Sequence, residues 1–73
     1  MKVGDRVRLA SPMVDDPDPV PMGTEGTVDY ISDLLYKVDP LTGNRRWYRQ
    51  VGVQWDNGRG LMCIVPPDRL ESA

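Results

Sequence analysis

At 73 residues the chain has room for a single domain. Nine Lys and Arg stand against eleven Asp and Glu, histidine is absent and cysteine occurs once, which excludes an internal disulfide, a Cys/His zinc site and histidine-based catalysis. No apolar run is long enough for a membrane span, and Met1-Lys2-Val3-Gly4-Asp5 lacks a signal-peptide core, so a cytoplasmic protein with no membrane partner is expected.

Seven glycines and seven prolines separate short apolar alternations, and no helical periodicity is sustained. The chain therefore reads as strands and turns. Arg6 to Ala10 is the first strand, with Val7 and Leu9 on one face. Pro12, Pro17, Pro19 and Pro21 make the next stretch an ordered loop outside the sheet. Gly23-Thr24-Glu25-Gly26 reads as a turn into a strand from Thr27 to Ile31. Val28 and Tyr30 share one face there, and Asp29 and Ile31 the other.

Leu34 to Val38 and Arg45 to Trp55 read as the arms of a long hairpin with its tip at Asp39–Asn44. Alternation points Val51, Val53 and Trp55 inward and leaves Trp47 beyond the end of the core. Asp56-Asn57-Gly58 predicts a type I′ turn. In the strand from Arg59 to Val65, Leu61, Cys63 and Val65 oppose Met62 and Ile64, and apolar residues on both faces predict a strand covered on both sides. Pro66 to Arg69 is a tight turn, and Leu70-Glu71 a short closing strand. The predicted architecture is all-β: one SH3-like five-stranded barrel over 1–73, partly open, with an extended β-hairpin between the second and third core strands. A domain this small has a thin stability margin and gains from self-association, so a homo-oligomer is expected.

Several segments together resemble a known family. They are Lys2-Val3-Gly4-Asp5-Arg6-Val7-Arg8-Leu9, Asp16-Pro17-Asp18-Pro19, Gly23-Thr24-Glu25-Gly26-Thr27-Val28, Val53-Gln54-Trp55-Asp56-Asn57-Gly58-Arg59 and Pro67-Asp68-Arg69-Leu70-Glu71. The family is a small bacterial and phage one, catalogued as domain of unknown function 4314. The resemblance implies an SH3-like barrel and a home on phages and mobile elements. It implies no established activity and carries over no functional residues. It covers most of the chain outside residues 32–50, where this sequence departs from the family with its elongated hairpin.

Candidate chemistry is sparse. Ser11, Ser32 and Ser72 have no histidine to activate them. Cys63 falls in an apolar strand and reads as an inert core thiol. Asp15, Asp16 and Asp18 offer too few oxygens in too broken a loop for calcium and read as a solvated acidic segment. Gly23 and Gly26 open no helix, and Glu25 between them repels phosphate. No catalytic residue, metal or cofactor is expected.

Charge is polarised. Residues 1–33 hold three cations against seven acids, and residues 34–73 six against four. Within the second part, Tyr36, Lys37, Arg45, Arg46, Trp47, Tyr48 and Arg49 interleave aromatics with cations, and Arg59 is a further candidate. This pattern suits stacking on a base with charge pairing to phosphate. The expectation is a non-enzymatic binding module for a nucleotide or single-stranded nucleic acid; in a phage setting it could sequester a nucleotide signal as counter-defence. Two other readings use the same residues. Trp, Tyr and Arg are also the anchors of protein interfaces, so the hairpin could dock a host protein. Exposed hairpins also carry charge merely to avoid edge aggregation.

Overall fold

The computed structural model describes residues 1–13 and 16–73. Among them there is no helix. The chain forms six antiparallel strands: β1 (Arg6–Leu9), β2 (Glu25–Ile31), β3 (Leu35–Val38), β4 (Arg45–Trp55), β5 (Gly60–Val65) and β6 (Leu70–Ser72). β4 is the spine of the sheet. β5 lies along one of its edges, and β2 followed by β3 along the other; β1 then pairs β2, and β6 pairs β1. The sheet curls into a half-barrel whose two outer strands, β5 and β6, are joined by residues 66–69. Asp68 pins that join: its backbone N–H donates to the Ile64 carbonyl at 2.8 Å, and its carboxylate accepts the Ile64 N–H at 2.9 Å.

One apolar cluster fills the curl. Val7, Leu9, Val28, Val51, Val53, Trp55 and Cys63 come from the strands, as alternation predicts. Met13 and Val20 come from the proline-rich loop and are also buried. These two side chains close over the core, which the loop's composition conceals. Burial pushes the Cys63 thiol up to about 12, with the Asp68 charge adding to the effect. In the unfolded chain the thiol returns to an ordinary value near 9.0. The stability tied to the neutral thiol is complete below that value and is lost as pH rises through the folded one. Native protein is therefore expected to resist alkylation by iodoacetamide at neutral pH and to react on unfolding. A thiol titration against denaturant checks this, and rapid labelling without denaturant would contradict it.

Four local readings are corrected. Glu25 and Gly26 belong to β2, not to a turn, and Gly26 is buried beneath β4. The register slips between Val28 and Tyr30. This bulge at Asp29 turns Tyr30 outward and Ile31 against the core, the reverse of the simple alternation. The turn after β4 is not type I′, because Asn57 does not adopt positive φ and only Gly58 does, at 87°. The Trp55 N–H donates to the Arg59 carbonyl at 2.8 Å, closing a three-residue loop with glycine in the left-handed position. Last, β5 is an edge strand with Met62 exposed, not a strand covered on both faces.

Candidate nucleic-acid interface

β2 and β3 run along the same edge of β4, so β3 and the first half of β4 project past the core as an arm. Its tip is closed by the Asp39 N–H donating to the Asn44 carbonyl and the Gly43 N–H to the Asp39 carbonyl, each at 2.8 Å. Gly43 meets the turn with a φ of 72°. At the root, buried Ser32 ties the arm down. Its hydroxyl accepts the Gln50 N–H at 2.8 Å, and its carbonyl accepts the Arg49 guanidinium at 3.3 Å.

The register divides the predicted cluster between two faces. Tyr36 opposes Trp47 and Val38 opposes Arg45 on one face, while Leu35 opposes Tyr48 and Lys37 opposes Arg46 on the other. On the first face the Tyr36 and Trp47 rings lie 5.1 Å apart at 53°, and the Arg45 guanidinium stands 5.1 Å over Tyr36. On the second, the Lys37 ammonium stands 5.5 Å over the Tyr48 ring. Each such cation–ring contact contributes about 0.5–1 kcal/mol at an exposed site. No cation stands over Trp47 among the described residues, so its half-exposed indole is the ring left for stacking.

The second face borders an open groove of about 460 Å³. Lys37, Arg46 and Tyr48 form one side, with Trp47 also contributing to the lining, and Ile64, Pro66 and Pro67 form the other. The proline pair belongs to the site because β5 ends beside the arm, with Val65 opposite Arg49. Only that long-range register reveals it; in the sequence the prolines signal a turn.

Arg59 is not brought to this cluster. It sits at the far end of β4, where it donates to the Asp18 carbonyl at 2.7 Å and faces the Asp18 carboxylate at 3.4 Å. Asp16 accepts the Asp18 N–H at 2.9 Å, and Asp15 lies outside the described residues.

The ion pairs of the described residues all fall on the body, where Arg6, Arg8 and Arg59 are matched and Lys2 and Arg69 are not. Arg6 forms a two-point pair with Asp56 at 2.6 and 2.9 Å, Arg8 meets Glu71 at 3.2 Å, and Arg59 meets Asp18. The guanidinium of Arg6 holds the Asp56 carboxyl below its ordinary 3.8, chiefly through these hydrogen bonds. Their contribution is present above that ordinary value and is lost as pH falls through the lower folded one. By contrast, Lys37, Arg45, Arg46 and Arg49 form no ion pair among the described residues. Four cations against the single acid Asp39 on one projecting hairpin make a local positive field on an acidic chain. No group of three or more metal-ligating side chains occurs among the described residues, and no helix is long and apolar enough to cross a membrane. No protein-family model matches the chain, and neither a curated protein nor a solved structure shows significant similarity to it.

Proposed function

We propose that this chain is a non-enzymatic binding module, an SH3-like barrel left open at one seam, whose β3–β4 arm takes single-stranded nucleic acid. The observation that carries the reading is the clustering of four cations without ion pairs among the described residues, Lys37, Arg45, Arg46 and Arg49, with Trp47 on one arm, while three of the five cations elsewhere, Arg6, Arg8 and Arg59, are matched by acids and Lys2 and Arg69 are not. A base stacks on Trp47, and phosphates on either side meet the cations of the two faces. A strand suits the arm better than a free nucleotide does. Small-ligand sites enclose most of their ligand, whereas both faces here are open, and an open platform gains affinity by repeating contacts along a polymer.

Titration with oligothymidylate, followed by tryptophan fluorescence, tests this. Trp47 is exposed and Trp55 buried, so quenching reports the arm. Binding is expected to weaken with salt at a log–log slope of about −2 to −3, the release of counterions from three or four phosphates. Trp47→Ala should abolish it and Arg46→Ala weaken it. A flat salt response sinks the reading. Equal affinity for mononucleotides, cyclic ones included, would instead favour sequestration of a nucleotide signal.

A host-protein partner is the second reading. It is favoured by the apolar side chains the arm leaves exposed, Leu34, Val38 and Leu41 beside Tyr36 and Trp47. Capture that depends on Trp47 and persists in high salt would support it over nucleic acid.

A further inference from the structure

β3 has one edge against β4 and the other free. The Asp39–Asn44 hydrogen bond at the tip sets the phase of the ladder. Backbone groups alternate sides along a strand, so Leu35 and Lys37 turn their N–H and C=O toward β4. Tyr36 and Val38 turn theirs outward. Such a row of free donors and acceptors is completed by another strand.

We propose that this edge pairs antiparallel with β3 of a second copy, about a twofold axis passing between the two Tyr36 residues. Symmetry and phase leave few alternatives. In an isologous antiparallel pairing the axis passes through either an outward-turned or an inward-turned residue. Centring on Lys37 would set two ammonium groups directly opposite each other, and centring on Leu35 would set Val38 opposite Ser32, whose N–H is already given to the Gln50 carbonyl. Centring on Val38 would set Tyr36 opposite Pro40, which has no N–H to give. Centring on Tyr36 sets the two tyrosines together and Val38 of each copy beside Leu34 of the other. All three are about half exposed in the single chain: 51 % at Leu34, 50 % at Tyr36 and 55 % at Val38. On the opposite face Lys37 falls against Leu35 of the second copy, so no cation directly opposes a cation.

The contact is small. Five residues a side fall well short of the roughly 1,200–2,000 Å² of a standard interface, so the dimer is weak. It also brings two cationic arms together, so added salt strengthens it. The pairing stands with or without a ligand. For the proposed function it joins the Tyr36–Trp47 pairs of both copies into one four-ring row, a longer platform than one copy holds.

Disulfide trapping tests the register. In a hydrogen-bonded antiparallel pair the Cα atoms lie ~5.5 Å apart, inside the range a disulfide spans. Two Val38 residues would be offset by four positions, ~13 Å along the strand. Under mild oxidation, without oligonucleotide, Tyr36→Cys is expected to cross-link at least about tenfold faster than Val38→Cys. Cys63 is buried and stays silent. Adding Val38→Pro to Tyr36→Cys removes an outward N–H without touching the β4 ladder and should slow cross-linking about tenfold, the loss of roughly one cross-strand hydrogen bond at each end. Circular dichroism confirms that each variant folds. Equal rates for the two cysteine variants would overturn the pairing, as would sedimentation of the wild type as a monomer at millimolar concentration in high salt. Either result leaves the nucleic-acid reading standing.

Discussion

Replacing Gly26 by alanine is expected to cost about 2–4 kcal/mol, a large share of the ~4–10 kcal/mol that holds a domain of this size. The cause is close approach, not backbone freedom. A Cβ at position 26 would lie 2.6 Å from Val53 Cγ1, 2.7 Å from the Gln54 carbonyl oxygen and 3.0 Å from Trp55 Cα. Two of those three atoms are backbone, so no rotamer change relieves the clash. β2 would have to move off β4 at this point. Thermal unfolding followed by circular dichroism should show a midpoint lowered by ~10 °C or more. Gly58→Ala makes a useful contrast. Nothing lies within 4 Å of its added Cβ, so the cost there comes only from a φ of 87° and should be about 1 kcal/mol. If Gly26→Ala melts no lower than Gly58→Ala, the packing described between β2 and β4 is wrong.

Excising the arm should have the opposite profile: binding lost, fold kept. Residues 34–48 can be replaced by Asn-Gly, which joins Asp33 to Arg49 through a two-residue turn. Every buried apolar side chain lies outside the deleted segment. The β2–β4 pairing from Gly26 to Ile31 and the β4–β5 pairing from Arg49 to Gln54 both survive, as does the Ser32–Gln50 anchor. The melting midpoint is expected within about 5 °C of the parent, since the change amounts to roughly 1 kcal/mol. Oligothymidylate should no longer quench the remaining tryptophan. A shortened protein that still binds with a salt-dependent slope would move the interface to the body.

The sequence was informative where one physical rule acted alone. Alternation in β4 placed Val51, Val53 and Trp55 inside and Trp47 out on the arm, because an uninterrupted strand has nothing to reset its period. It misled wherever a second constraint intervened. Asp29 carries an extra residue that no pattern marks, and it reversed the facing of Tyr30 and Ile31. Gly26 looked like turn chemistry, but its role is to let β4 come close, which depends on residues far along the chain. Met13 and Val20 sit among prolines and acids, so only the fold shows that they cover the core. The candidate site was half legible. Its aromatic and basic residues stood together in sequence, but their division into two faces and the Ile64–Pro67 wall follow from cross-strand register. Arg59 looked like a neighbour of the cluster and is held by Asp18 at the other end of β4.

The two register slips in the strand that runs from β2 into β3 have a consequence for how this arm can change over time. Val28 opposes Val53 and Tyr36 opposes Trp47, so two surplus residues are absorbed between the body and the tip. Two surplus residues restore the original facing, whereas one would invert it. The arm therefore behaves as a telescope with a step of two. Inserting a pair of residues in β3 and a matching pair in β4 would carry the tip ~7 Å further while every ring and cation keeps its side. A lineage could lengthen its reach this way, or exchange the two faces by inserting a single residue in each arm, without touching any side chain in the core.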